Sequence, residues 1–225
     1  MSQSNHMVVG LGASAGGLDA FKAFFANMRA NTGMTFIVVQ HLAAEHKSLL
    51  VELLRAHTRM RIEEATNGTA IAPDRIFVIP PDATLTVKDG ALRVAKPAPP
   101  RQQRWPVNAL FFSLAEEFGE LAAGVILAGA GTDGTLGLKA IKEHGGFTLA
   151  QALADATPAQ GMPHSAAATG LVDLVVAVEE MPGKLIQHQK HLHDVEALKG
   201  EDGTRDDVLG QLPQISRLLR SRLGL

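Results

Sequence analysis

Two stretches of this chain repeat one order: a short apolar run, a cluster of glycines, then an amphipathic helix. Met7-Val8-Val9-Gly10 leads into Gly10-Leu11-Gly12-Ala13-Ser14-Ala15-Gly16-Gly17, after which Leu18, Phe21, Phe25 and Met28 fall on one helical face. Gly124 to Ala128 leads into Gly129-Ala130-Gly131-Thr132-Asp133-Gly134 and a helical pattern from Leu136 to His144. Between them, Thr35-Phe36-Ile37-Val38-Val39 is apolar without alternation, the pattern of a strand covered on both faces. Tight turns from such strands into helices constrain the chain to an α/β fold: a doubly wound, mainly parallel, Rossmann-like sheet.

The remaining segments fit around that frame. Ser48 to Thr58 reads as a helix with Ser48 near its N-cap and Leu49, Leu50, Leu53 and Leu54 turned inward. Arg75 to Ile79 is a strand. Thr84 to Lys88 and Ala91 to Ala95 flank Asp89-Gly90, a strong hairpin signal, so an antiparallel hairpin is inserted into the parallel pattern. Lys96 to Pro106, with four prolines, reads as an exposed loop. A helix (Val107 to Phe118), a strand (Phe147 to Ala150), a helix near Ser165 to Thr169 and a strand (Val172 to Ala177) continue the alternation. After Glu179 no strand follows. Glu180 to Lys199 is a polar helix, Gly200 to Asp207 a charged linker, and Gln214 to Leu223 a basic amphipathic helix. The expected division is therefore residues 1–178 as one α/β domain and 179–225 as a helical tail or linker.

Composition removes several classes. Of 225 residues, 46% are hydrophobic, enough for a sizeable core. The net charge of −2 supplies no field for nucleic acid. The absence of cysteine excludes disulfides, thiolate metal sites and a Cys nucleophile, and suits a reducing, cytoplasmic setting. The stretch Leu121 to Ala130 is too short to span a bilayer, so direct membrane insertion is not expected.

Three strand ends carry candidate chemistry. The Gly10 to Gly17 turn fits a dinucleotide fingerprint, but the second strand ends in Gln40-His41 where that reading wants an acid. It equally fits Ser14 as a nucleophile at a helix start, or a glycine-packed turn with a solvated serine. His41 stands where parallel sheets place ligands, and as a plain structural histidine too. Asp133 can orient the His41 ring, or simply cap the helix that follows it. The expectation is that Ser14, His41 and Asp133 close neighbouring strands and meet, with the N–H of Ala130 or Gly131 free to face an anion. Gly12-Ala13-Ser14-Ala15-Gly16 matches G-x-S-x-G in letters, but the order Ser, His, Asp and its place after the first strand fit an α/β-hydrolase poorly. His188, His191 and His193 read as a solvated polar face rather than a metal site, Arg101 and Arg104 as a solvated basic loop, and Met60, Met162 and Met181 as packing residues.

Taken together, Gly10 to Gly17, Val38-Val39-Gln40-His41 and Gly124-Val125-Ile126-Leu127 with Gly129 to Gly134 resemble the catalytic domain of the CheB family, the chemotaxis protein-glutamate methylesterases. Thr135-Leu136-Gly137-Leu138-Lys139, Gly161-Met162-Pro163 and Ala168-Thr169-Gly170-Leu171-Val172-Asp173 extend the resemblance from about Met7 to Val178. His46-Lys47-Ser48-Leu49-Leu50 and Ile79-Pro80-Pro81-Asp82-Ala83-Thr84-Leu85 resemble the branch fused to a downstream CheR-type methyltransferase module.

The resemblance implies hydrolysis of glutamate γ-methyl esters on a methylated chemoreceptor or receptor-like protein, and deamidation of glutamine in some members. It implies Ser14 as nucleophile, His41 as general base and acid, Asp133 as orienter, and the backbone N–H groups of Ala15 and Ala130 as oxyanion donors, with no metal or organic cofactor. Ala152 and His164 depart from the family's usual Asp and Arg and bear on substrate fit. The alternatives are a non-catalytic docking or sensory module of a larger signalling protein, and a small-ligand or dinucleotide-binding domain.

Overall fold

The computed structural model describes residues 6–14, 16–40, 49–96, 105–152 and 161–200, the last five for backbone only. In chain order the elements are β1 (Val8–Ala13), α1 (Gly17–Asn27), β2 (Thr35–Gln40), α2 (Leu50–Arg55), β3 (Arg61–Glu64), β4 (Arg75–Val78), β5 (Thr84–Lys88), β6 (Ala91–Ala95), α3 (Pro106–Phe118), β7 (Ala122–Ile126), α4 (Thr135–Glu143), β8 (Phe147–Gln151), α5 (Gly161–Ala168), β9 (Leu174–Val176) and α6 (Met181–Gly200). The chain divides into two compact units, Met1–Leu185 and Ile186–Leu225. The first holds every described strand. The described part of the second is helical. Among the described residues no helix is long and apolar enough to cross a membrane.

Seven strands form one sheet in the order β3-β4-β2-β1-β7-β8-β9, and every pairing in it is parallel. β1 lies at its centre, buried along its whole length. Side chains alternate between the two faces of a strand, so adjacent residues report on opposite layers. On β2, Phe36 meets Phe24 and Phe25 of α1 edge to face, with centroids 6.0 and 5.8 Å apart. Ile37 joins the core under α3 with Phe111 and Leu114. Helices α1 and α3 therefore cover opposite faces, as the doubly wound reading expects.

The face under α3 is built by missing side chains. A Cβ placed on Gly12 would lie 2.3 Å from Val107 Cγ1, and one on Gly10 would lie 2.8 Å from Leu114 Cδ1. On β7, a Cβ on Gly124 would lie 2.5 Å from Leu138 Cδ2 of α4. Two glycines of the first motif thus sit inside the strand and let α3 approach it, rather than shaping the turn.

The inserted hairpin is present as β5 and β6, an antiparallel pair separate from the main sheet. Asp89 (φ 54°) and Gly90 (φ 68°) both take positive φ, the type I′ geometry that suits a two-residue hairpin. The hairpin is tied to α3: Val87 N–H donates to Ser113 Oγ at 3.0 Å and Gly90 N–H to Glu117 Oε1 at 2.7 Å.

Several local expectations change. α2 is short, and Leu49 and Leu53 are exposed while Leu50 and Leu54 are buried. The four leucines span more of the helix circumference than one neighbouring layer covers. Ser48 lies outside the described residues. Pro106 begins α3 instead of ending a loop, because its fixed φ suits the first helical position and its missing N–H needs no partner there. β3 was not expected from the sequence. It is an edge strand with only Ile62 buried, and Glu63 accepts from Arg61 and Arg75 at 2.9 and 3.0 Å. Charged side chains are how exposed edges avoid pairing with another chain. The charged linker after Gly200 and the basic helix Gln214 to Leu223 lie outside the described residues.

At the far side of the sheet, Asp173 joins β8 to the start of β9. Its carboxylate pairs with Lys142 and accepts from Thr148 N–H at 3.0 Å and Thr148 Oγ1 at 2.8 Å. Burial pushes this carboxyl up, but the hydrogen bonds from Lys142 and Thr148 outweigh it and hold it below the ordinary value.

Two predictions follow from this packing. Gly12→Ala drives a methyl group into Val107 and should cost about 1–3 kcal/mol in denaturant unfolding. Val107→Ala in the same chain should recover part of that loss. Strict additivity of the two would show that this contact does not set the position of α3. Asp173 is more acidic folded than unfolded, so its contribution is present above the unfolded value and lost as pH falls through the folded one. Asp173→Asn should therefore lower stability at pH 7, with the gap to the parent closing below about pH 4. A gap independent of pH would remove the charge from the account.

Candidate active site

Ser14 is the first residue past β1, and the backbone fixes it from both sides. Leu127 N–H donates to Gly12 O at 2.9 Å, and Ser14 N–H donates to Ala128 O at 3.1 Å, so the β1–β7 ladder runs on as far as the serine. The Ser14 carbonyl accepts from Gly17 N–H at 2.9 Å, closing the turn into α1. Gly16, at φ 83°, takes the left-handed conformation that this turn requires.

The loop after β7 passes directly beside the serine. A Cβ on Gly129 would lie 2.8 Å from Ser14 Cβ and 2.7 Å from its nitrogen. Only glycine lets the two backbones come this close. From below, Met162 N–H at the start of α5 donates to Gly129 O at 2.9 Å. Gly161 packs against Gly131, where a Cβ would lie 2.7 Å from the Gly131 nitrogen. Ala128 N–H donates to Gln151 Oε1 of β8 at 2.9 Å, so the amide side chain steadies the residue that in turn holds Ser14. Ala130 is exposed on this loop.

Asp133 is 1% exposed and sits at the start of α3. Oδ2 accepts from Val107 N–H at 2.9 Å, and Oδ1 from Asn108 N–H at 3.0 Å and Gly134 N–H at 2.8 Å. The helix it caps is thus α3, not the α4 that follows it. A carboxylate here meets two otherwise unpaired N–H groups and the positive end of the helix dipole. Asn108 returns the arrangement: its Oδ1 accepts from Gly137 N–H in the first turn of α4 at 2.8 Å. Each helix start is capped by a side chain from the other segment.

His41 and Ala15 lie outside the described residues. The strands bear on the expectation nonetheless. His41 follows β2 in sequence and Asp133 follows β7, and these two strands are not neighbours: they flank β1. Three consecutive parallel strands, about 4.8 Å apart, therefore end at Gln40, Ala13 and Ile126 on one side of the sheet. Asn108 and Gln151 were missed by sequence reasoning. Gln151 is visible as a polar residue ending a buried strand. Nothing local marks Asn108, whose partner is 29 residues away.

Comparison with known proteins bears on this geometry. The family described as CheB methylesterase matches residues 9–185. The chain is 36% identical over 179 residues to the protein-glutamate methylesterase/protein-glutamine glutaminase 2 of Anaeromyxobacter dehalogenans, covering 79% of this chain and 52% of that protein. It is 38% identical over 132 residues to an uncharacterized 104.1 kDa protein of Rhodobacter capsulatus, covering 59% of this chain and 14% of that one. The crystal structure of the Thermotoga maritima CheB methylesterase catalytic domain superposes with a TM-score of 0.73 at 27% identity, covering 81% of this chain and 98% of that domain. The chain spans about half the length of the curated methylesterase relatives it matches.

The caps yield a stability prediction. Asp133→Ala leaves the Val107 and Asn108 N–H groups buried without that acceptor and should cost about 2–4 kcal/mol in denaturant unfolding. A loss under about 0.5 kcal/mol would show that Asp133 does not anchor α3.

Proposed function

Because the chain belongs to the CheB methylesterase family, we propose that it hydrolyses glutamate γ-methyl esters on a methylated chemoreceptor or receptor-like protein, with Ser14, His41 and Asp133 as its triad. The observation that carries this is the backbone clamp on Ser14, held by Ala128 and Gly17 against the side-chain-free Gly129. A nucleophile fixed beside an exposed loop of N–H groups is what acyl transfer needs.

In the proposed sequence His41 takes the Ser14 proton as Oγ attacks the ester carbonyl. The oxyanion faces the N–H groups of Ala15 and Ala130, each donor contributing about 3–4 kcal/mol. His41 then gives its proton to the departing methanol, and water, activated the same way, releases the glutamate carboxylate from Ser14. Asp133 holds the His41 ring in the tautomer that accepts from serine. Glutamine enters the same sequence with ammonia as the leaving group, in keeping with the glutaminase in the relatives' names. No metal or organic cofactor takes part. We set the reaction in the cytoplasm on the cysteine-free composition, which suits a reducing compartment. We take a downstream CheR-type methyltransferase module as a partner on the resemblance of the segments His46 to Leu50 and Ile79 to Leu85 to that branch.

The test is methanol release from methylated receptor membranes. The parent should release methanol, and Ser14→Ala and His41→Ala should be inert with folding intact. Asp133→Asn, which keeps one acceptor oxygen for α3, should lose up to about 10⁴-fold in rate. Equal turnover in Ser14→Ala removes the serine mechanism. No turnover in the parent favours a non-catalytic docking module.

A further inference from the structure

Among the described residues seven large apolar side chains are exposed, and three of them, Trp105, Phe112 and Leu136, meet in one cleft of about 580 Å³. Ala109 lines its floor, and Asn108, Thr132, Thr135 and Ser165 complete it. None of the described lining residues is charged. Some of its polar atoms are already engaged: Asn108 Oδ1 accepts from Gly137 N–H, and Thr135 Oγ1 donates to Ser165 Oγ at 3.0 Å. The lining is mostly carbon, so a large apolar guest would find carbon on most sides.

Two paths fix its distance from the serine. Gly129 touches Ser14, and Thr132 in the cleft is three residues further along the same loop, at most about 11 Å of chain. On α5, Met162 packs on Gly129 while Ser165 lines the cleft, a spacing of i to i+3 that sets Cβ atoms about 5–6 Å apart. An extended polypeptide covers such a gap in about two to four residues.

We propose that this cleft is a specificity subsite: it takes a large apolar side chain of the substrate polypeptide, within about four residues of the methyl-glutamyl group presented to Ser14. The inference rests on the esterase reading above and adds what the enzyme selects. Phe112 and Leu136 are its specificity-determining residues, and neither belongs to the triad or to the clamp on Ser14.

The experiment uses the full chain with synthetic peptides, each carrying one glutamate γ-methyl ester in a Ser/Gly background, and a phenylalanine placed in turn at each of the four positions on either side. N-acetylglutamate amide γ-methyl ester serves as the small substrate. At one or more positions phenylalanine should raise kcat/KM at least tenfold over the all-polar peptide, mainly through KM. Phe112→Ser and Leu136→Ser should each lower the ratio of peptide to small-ester kcat/KM by about tenfold, with unfolding midpoints measured alongside. Hydrolysis of the esters with no preference at any position overturns the subsite and leaves the esterase reading standing. No hydrolysis of any ester, small or peptide, overturns that reading and the subsite with it. Dimers in sedimentation that Phe112→Ser dissociates, without a peptide preference, assign the cleft to self-association and overturn the proposal.

Discussion

The carboxylate of Asp133 at the head of α3 is the contact around which the rest is arranged. It bonds a loop that leaves β7 to a helix that begins 27 residues earlier in the chain, at Pro106. Without it the first turn of α3 would bring buried, unpaired N–H groups to the centre of the molecule. With it, α3 is fixed both along its axis and around it, and Val107, Phe111 and Leu114 fall onto the bare backbone of β1. The Asn108 cap on α4 makes the arrangement mutual, so the loop between β7 and α4 is held at its far end by two helices and at its near end by Ser14. A glycine-rich loop left to itself is soft. This one is fixed because its neighbours use it as a cap.

The order of the strands gives the site its address. β1 is central, and the chain returns to its two flanks by different routes, through α1 to β2 and through α3 to β7. In an open parallel sheet this is where the connections diverge to opposite faces and leave a crevice past the strand ends. Ser14 stands at that crevice. The likeness to the Thermotoga maritima catalytic domain covers nearly all of that domain, and the sheet with its helices accounts for it.

How much could be read beforehand followed the range of the forces involved. Apolar runs announced β1, β2 and β7, because strands covered on both faces carry few polar residues to blur them. Asp89-Gly90 announced the hairpin, since positive φ at two consecutive positions is a local demand. β3 was silent because an edge strand protects itself with charge, and its Met60–Ile62 alternation is too short to stand out. α2 misled because four leucines suggest a broad buried face where only two leucines find one. Asp133 was legible as a candidate, and the alternative reading of it as a cap named the wrong helix: sequence shows that an aspartate precedes α4, and only the tertiary arrangement shows that it caps α3. The apolar cleft was invisible for the same reason, its walls coming from three separate helices.

The strand order also decides when the site can exist. β1 is made well before its second neighbour, which pairs Val8 with Ala122, and Gly129 and Asp133 come later still. Parallel pairing over such a separation is entropically slow and waits on the intervening chain. A nascent polypeptide extended only as far as β4 holds the serine, its turn and part of the sheet, but neither the loop beside it nor the helix that fixes the loop. Whatever chemistry Ser14 performs is withheld until the chain is long enough to fold around it, and that delay is written into the topology.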